Sequence, residues 1–230
     1  MTNNTPTLLP HVLAGESENP QLTVIWMHGL GADGNDFAPI VPQLENQLKA
    51  PVKFIFPHAP VRPVTLNNGL SMPAWYDIKS LGTTRDLSLE DMAESRKQIE
   101  AFILAEQDKG MRSDQILLVG FSQGAAVALH TGLRHPAKLA GIIALSGYIP
   151  VPSDDGSGYP EINRSMPILI AHGTMDPVVP PVLADQALEH LKEYEFQCSF
   201  KTYPMEHSVC PEEIDDIAAF INEMFEKRQD

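Results

Sequence analysis

Basic residues are scarce in this chain of 230 residues: 16 Lys and Arg stand against 30 Asp and Glu, a formal charge of -14 at neutral pH. A surface so charged repels polyanions at long range, which excludes nucleic acid as a partner and disfavours anionic lipid surfaces. Cysteine is scarcer still. Cys198 and Cys210 are the only two, too few for the disulfide framework of a small secreted domain, and neither belongs to a CxxC pair that would hold zinc. No Lys or Arg precedes Lys49, so the basic start of a secretory signal is missing and the expected location is the cytoplasm. Long hydrophobic runs are missing as well. LTVIWM and AGIIAL fall far short of the roughly 20 residues a membrane-spanning helix needs, so no stable membrane insertion is expected.

Short β-branched runs are present: Leu22 to Met27, Val52 to Phe56, Ile116 to Val119, Gly141 to Leu145, Pro167 to Ala171 and Ser199 to Tyr203. Most are apolar at successive positions, the pattern of strands buried on both faces of a parallel sheet. Helical periodicity fills the intervals. Ser88 and Asp91 form a start signal for a helix that Gly110 stops; Ala184, Ala187, Leu188 and Leu191 share one face; a last helix opens with Pro211, Glu212 and Glu213 and closes with Lys227 and Arg228, a charge order that suits the helix dipole. Strands alternating with helices predict an α/β fold with a mostly parallel central sheet and helices on both faces. The 20 prolines sit at segment edges and no composition shift splits the chain, so residues 1–230 read as a single domain. Two long loops are expected, over residues 57 to 87, with the apolar stretch LNNGLSMPAWYDI, and over residues 148 to 166, with the polar turn DDGSG.

The strongest local signal is Gly120-Phe121-Ser122-Gln123-Gly124, a G-x-S-x-G directly after the strand QILLVG and before the run AAVALH. A serine on such a strand-to-helix turn is forced outward, and side chains at the glycine positions would clash. Its hydroxyl needs a base, and the base an orienting carboxylate, in the order Ser, Asp, His. Asp176 follows the strand PILIAHG and His207 follows SFKTYP, both at C-terminal strand ends, where ligands bind in open α/β sheets. Singly, Asp176 reads equally as a turn residue before Pro177, and His207 as a surface residue near the last helix; order and context together favour a triad. The other histidines compete weakly. His130, His135 and His190 are expected to face solvent, His11 lies near the terminus, and His28, His58 and His172 at strand ends lack HxH or HExxH spacing, so no metal is expected and His28 reads as structural beside Gly29. Cys210, three residues after His207, lacks the elbow context of a nucleophile and reads as a small buried apolar residue. The developing oxyanion calls for two donors: the Gln123 N–H at a helix N-terminus, and one from the glycine-bearing loop Gly29 to Gly34, which no lysine follows as it would in a P-loop.

Taken in order, HGLGADGNDF (28–37), FPHAP (56–60), MPAWYDI (72–78), GFSQG (120–124), LSGYIP (145–150), HGTMDPVVP (172–180) and HSVCPEE (207–213) make the sequence resemble the small carboxylesterases of the α/β-hydrolase fold, the family that includes acyl-protein thioesterases and lysophospholipases. The resemblance implies Ser122 as nucleophile, Asp176 as orienter, His207 as base and the N–H groups of Leu30 and Gln123 as oxyanion hole. It also implies that the 66 to 76 loop, with Leu70, Met72 and Trp75, flanks an acyl-chain channel. Ala125 stands where the family usually has a further glycine, and its methyl is expected to favour the helix and narrow the floor behind the nucleophile.

The expected activity is hydrolysis of small-molecule carboxylic esters or thioesters through an acyl-enzyme, with no cofactor. Fold and triad do not fix the acyl donor, so a lysophospholipase, peptidase or perhydrolase outcome stays open, as does a binding module on a degenerate pocket. A homodimer also stays open. A chain this short leaves little room for a lid domain, so emulsified triglycerides are not expected as substrates.

Overall fold

Side chains on a strand alternate between faces, so a strand covered on both sides carries apolar residues at every position. The computed structural model, which describes residues 7–16, 18–82, 85–150 and 155–226, shows where each face goes. Its strands are β1 (His11–Gly15), β2 (Leu22–Met27), β3 (Val52–Pro57), β4 (Val61–Val64), β5 (Leu70–Pro73), β6 (Ile116–Phe121), β7 (Gly141–Leu145), β8 (Ile168–Gly173) and β9 (Cys198–Tyr203). Seven of them form one sheet in the order β1-β3-β2-β6-β7-β8-β9. All neighbours run parallel except β1, which pairs antiparallel with β3.

The helices are α1 (Val41–Glu45), α2 (Leu89–Asp108), α3 (Gln123–Arg134), α4 (Val182–Glu193) and α5 (Pro211–Glu226). Ile25, Met27, Leu118, Ile142 and Ile170 point to the face covered by α2, α3 and α4; Val24, Trp26, Val119, Ile143 and Leu169 point to the face covered by α1 and α5. This two-sided burial explains the unbroken apolar runs and realises the mostly parallel α/β sheet expected from them. Ser88 caps α2 by accepting the Asp91 N–H at 3.2 Å. Lys227 and Arg228, expected to close the last helix, lie outside the described residues. Among the described residues no helix is long and apolar enough to cross a membrane.

The 57 to 87 segment is not the plain loop expected. It folds back as the β4–β5 hairpin, closed by Thr65, whose N–H and hydroxyl both donate to the Asp77 carboxylate at 2.7 Å, and is tied further on by a bridge between Ile78 and Leu87. Pro63 and Pro73 obscure these strands, because proline removes a ladder donor and is tolerated only at sheet edges. The turn signal was nonetheless present: Asn68 (φ 56°) and Gly69 (φ 75°) take the left-handed conformations that Asn-Gly adopts in hairpins. Two histidines also depart from expectation. His135 and His190 are buried, at 5% and 7% exposure; His190 follows Ala187 by one helical turn and so lies on the inward stripe of α4, its ring nitrogen 3.2 Å from the Tyr159 hydroxyl.

Candidate active site

The sheet carries its chemistry-bearing residues at the C-terminal ends of β2, β6, β8 and β9. β6 runs straight into α3, and the turning residue between them is Ser122, at φ 55° and ψ -115°. A non-glycine residue in that conformation is strained and is held there by its surroundings. A Cβ on Gly120 would run into the Gly124 carbonyl, and one on Gly124 would meet the Met27 and His28 carbonyls, the latter at 2.6 Å. Both glycines are therefore required for the turn to close against β2. Ala125 is buried with its methyl against Gly147, whose missing side chain leaves room for it.

Asp176 follows β8 and is 4% exposed. Its Oδ1 accepts the N–H groups of Val178 and Val179, both at 2.8 Å, and its Oδ2 accepts Nδ1–H of His207 at 2.6 Å. A carboxylate accepts only, so Nδ1 carries the proton and Nε2 is left as acceptor, 3.0 Å from the Ser122 hydroxyl. The three residues, 31 and 85 positions apart along the chain, thus form one hydrogen-bonded row. Phe121 packs its ring 4.8 Å from that of His207. His172 lies under the carboxylate, donating from Nε2 to the Val179 carbonyl at 2.8 Å, and burial lowers its pKa and keeps it neutral. Arg85, in the strap before α2, donates to the Val178 carbonyl at 2.6 Å and stands over the Tyr148 ring. His172 and Arg85 were not legible as supports of this loop; a lone buried-side arginine in an otherwise polar strap carries no periodic signal.

The loop after β2 runs beside the serine. A Cβ on Gly29 would stand 3.5 Å from the Ser122 Cβ. Gly31 N–H donates to the Pro73 carbonyl and Ala32 N–H to that of Gly29. Among the described residues, the N–H groups of Leu30 and Gln123 donate to no protein acceptor. The glycines at 29, 31 and 34 fall at G-x-G-x-x-G spacing, yet no helix starts on the last of them: turns and the 3-10 segment Ala38–Ile40 come first, and the α1 that follows at Val41 has only five residues. The helix N-terminus that a dinucleotide phosphate requires is missing from this loop.

The structure separates the three residues expected to flank an acyl channel. Leu70 is 65% exposed at the hairpin tip. Met72 is half-buried, its Sδ 3.8 Å from where a Gly31 Cβ would stand. Trp75 is fully buried, with its N–H bonded to the Gln123 side chain at 2.7 Å, its indole N–H to the His28 carbonyl at 2.9 Å, and its carbonyl accepting the Ser95 hydroxyl. It presents no surface to a substrate, and the expectation of a channel residue is corrected: an indole with a polar edge finds its partner in the interior. His28, His58 and His172 do not converge. Each bonds separately, His28 to Gly29 and Ala59, His58 to Gly34 and His172 to Val179, and among the described residues no group of three His, Cys, Asp or Glu side chains is arranged to hold a metal ion.

A serine on a strained strand-to-helix turn, with Asp and His following on later strands of a mostly parallel sheet, defines the class as a hydrolase of the α/β-hydrolase fold. Within that class the chain belongs to the phospholipase/carboxylesterase family, whose profile matches residues 10–225. Acyl-protein thioesterase 1 of Neurospora crassa is 41% identical over 217 residues, covering 90% of this chain and 89% of its own. That of Saccharomyces cerevisiae is 36% identical, covering 91% and 95%. The crystal structure of Arabidopsis thaliana SOBER1 superposes with a TM-score of 0.80 at 32% identity, covering 89% of this chain and 99% of its own. Acyl-protein thioesterase 2 of Zea mays follows with a TM-score of 0.79 at 26% identity, covering 94% and 99%. The chain is an esterase- or thioesterase-type hydrolase.

Proposed function

We propose that the chain is a serine hydrolase that cleaves acyl thioesters and carboxylic esters through an acyl-enzyme on Ser122. The observation that carries the reading is the hydrogen-bonded row from the Ser122 hydroxyl through His207 to Asp176. Ser122 Oγ attacks the acyl carbonyl while His207 Nε2 takes its proton, and Asp176 stabilises the imidazolium that results. The oxyanion rests on the Leu30 and Gln123 N–H groups, which among the described residues carry no competing protein bond. His207 then protonates the departing thiolate or alkoxide, the acyl group stays on Ser122, and a water molecule deprotonated by His207 releases the acid and restores the serine.

The names of the relatives, acyl-protein thioesterases at 34 to 41% identity, favour thioesters of protein-bound acyl chains. Exposed apolar residues flank the triad, Met175 and Val178 on either side of Asp176, which suits an aliphatic acyl group. The net charge of -14 disfavours work on anionic lipid surfaces. The test is labelling with a fluorophosphonate, beside kcat/KM on p-nitrophenyl esters and on a palmitoyl-thioester peptide. One adduct on Ser122, lost in Ser122→Ala together with both activities, is the expected result. A Ser122→Ala protein that keeps most of its turnover removes the assignment.

A further inference from the structure

Two consecutive peptides of the loop beside Ser122 are gripped by buried side chains at their carbonyls. The His28 carbonyl accepts the indole N–H of Trp75 at 2.9 Å. The Gly29 carbonyl accepts Nδ1–H of His28 at 2.7 Å, and the Ala32 N–H more weakly at 3.3 Å. The tautomer of His28 follows from its other nitrogen, because Nε2 accepts the Ala59 N–H at 3.1 Å and so carries no proton. Burial lowers the pKa of this imidazole, with the Gly29 carbonyl partly opposing, and its neutral form is the one that makes both bonds.

A peptide unit is planar and trans, so its C=O and N–H point in opposite directions. Holding the Gly29 carbonyl therefore aims the Leu30 N–H away from His28. Gly29 itself lies against Ser122, within 3.5 Å of the serine Cβ once a Cβ is placed on it. The same network reaches the other donor. The Trp75 backbone N–H donates to the Gln123 amide oxygen at 2.7 Å, and the Gln123 amide nitrogen donates to the Tyr76 carbonyl at 2.7 Å. The chain of bonds thus runs from Gln123 through Trp75 and His28 to the Gly29–Leu30 peptide, and all three side chains are buried.

The geometry points to His28 as a positioning residue that, braced by Trp75 and Gln123, fixes the Leu30 N–H in register with the Gln123 N–H for the oxyanion. This rests on the reading of those two N–H groups as the oxyanion donors. Neither His28 nor Trp75 touches substrate; their effect passes through the peptide they hold, and preorganised donors of this kind act on the transition state far more than on the bound ester.

The experiment compares His28→Leu, which loses both ring bonds, with His28→Asn, whose amide N–H stands in for Nδ1–H, and with Trp75→Phe, which keeps a ring and drops the indole donor. For each, kcat and KM on p-nitrophenyl butyrate, the Ki of an alkyl trifluoromethyl ketone that forms an oxyanion on Ser122, and thermal unfolding are measured. His28→Leu is expected to lower kcat and weaken the ketone by about 10²-fold with KM nearly unchanged, His28→Asn to recover at least about tenfold of that, and Trp75→Phe to fall between. A His28→Leu protein that keeps wild-type kcat and ketone affinity overturns the inference, as do equal losses in the Leu and Asn variants that follow the drop in melting temperature. If the wild-type protein binds the ketone no better than the ester, the oxyanion reading itself fails and the inference with it. Tight wild-type binding that is unchanged in His28→Leu leaves the oxyanion reading standing and removes only the role of His28.

Discussion

Asp176 is bound on both oxygens, and the two sides do different jobs. Oδ1 takes two backbone N–H groups that shape its own loop, while Oδ2 takes only the imidazole. Asp176→Asn can keep the first set through its amide oxygen, so the fold is expected to survive. Its Nδ2 then faces Nδ1–H of His207, two donors meet, and the ring turns to the tautomer whose Nε2 cannot accept from Ser122. A loss on the order of 10⁴ in kcat with an unchanged melting temperature is the expected outcome. Steady-state rates of the purified variant check it, and a loss under tenfold assigns the orienting role elsewhere.

At the scale of the element, the β4–β5 hairpin is the part of the site most open to variation. It touches the loop after β2 through the Gly31–Pro73 bond and through Met72 against Gly31, yet its tip leaves Leu70 65% exposed. An acyl chain leaving Ser122 past the Leu30 loop would meet these two side chains, and each buried CH₂ adds up to about 0.8 kcal/mol, roughly fourfold in rate. With p-nitrophenyl esters from acetate to dodecanoate, kcat/KM is expected to climb with length, and Leu70→Ala and Met72→Ala to flatten the climb while sparing acetate. Trp75→Ala provides the contrast: losing a fully buried indole and its bond to the His28 carbonyl is expected to cost about 3–5 kcal/mol of stability and to lower turnover on all lengths alike. Parallel length profiles for Leu70→Ala, Met72→Ala and the wild-type protein would remove the hairpin from acyl recognition.

Across the whole molecule the two ends of the sheet are specialised. The C-terminal end holds the strained serine and its partners. The opposite end is braced by a buried ion pair, Lys53 Nζ at 2.8 and 2.9 Å from the two oxygens of Glu106, to which Thr23 and Lys109 also donate. A second buried acid makes stability depend on pH. Glu213, in the first turn of α5, is fully buried, and among the described residues neither carboxylate oxygen has a hydrogen-bond partner. Burial, to which the Asp216 charge adds, pushes its pKa up from 4.5 to about 8. The folded protein then binds one proton more than the unfolded chain between these values, so the stabilising contribution is complete below 4.5 and is lost as pH rises through about 8. Melting temperature is expected to fall from pH 5 to pH 9 more steeply in the wild-type protein than in Glu213→Gln, whose amide does not titrate. Curves of equal slope in the two proteins would show that Glu213 folds in its charged form.

Much of this protein was decided locally and could be read without a structure. Apolar runs at successive positions meant strands with two covered faces, the Ser88 cap meant a helix start, and the five residues around Ser122 meant a turn that only glycines allow, because each leaves its pattern within a few residues of sequence. The order of Ser122, Asp176 and His207 along the chain was legible for the same reason, each standing directly after its strand. Tertiary structure alone decided the remainder. A proline-bearing hairpin paired only with itself, Trp75 went inward because the His28 carbonyl offered its indole N–H a partner there, and His135 and His190 were buried by elements far away in sequence. The tautomer of His207, that of His28, which the Ala59 N–H fixes, and the raised pKa of Glu213 all arise from groups tens of residues apart or from burial itself. Those quantities depend on distance and exclusion of water, and the one-dimensional pattern records neither.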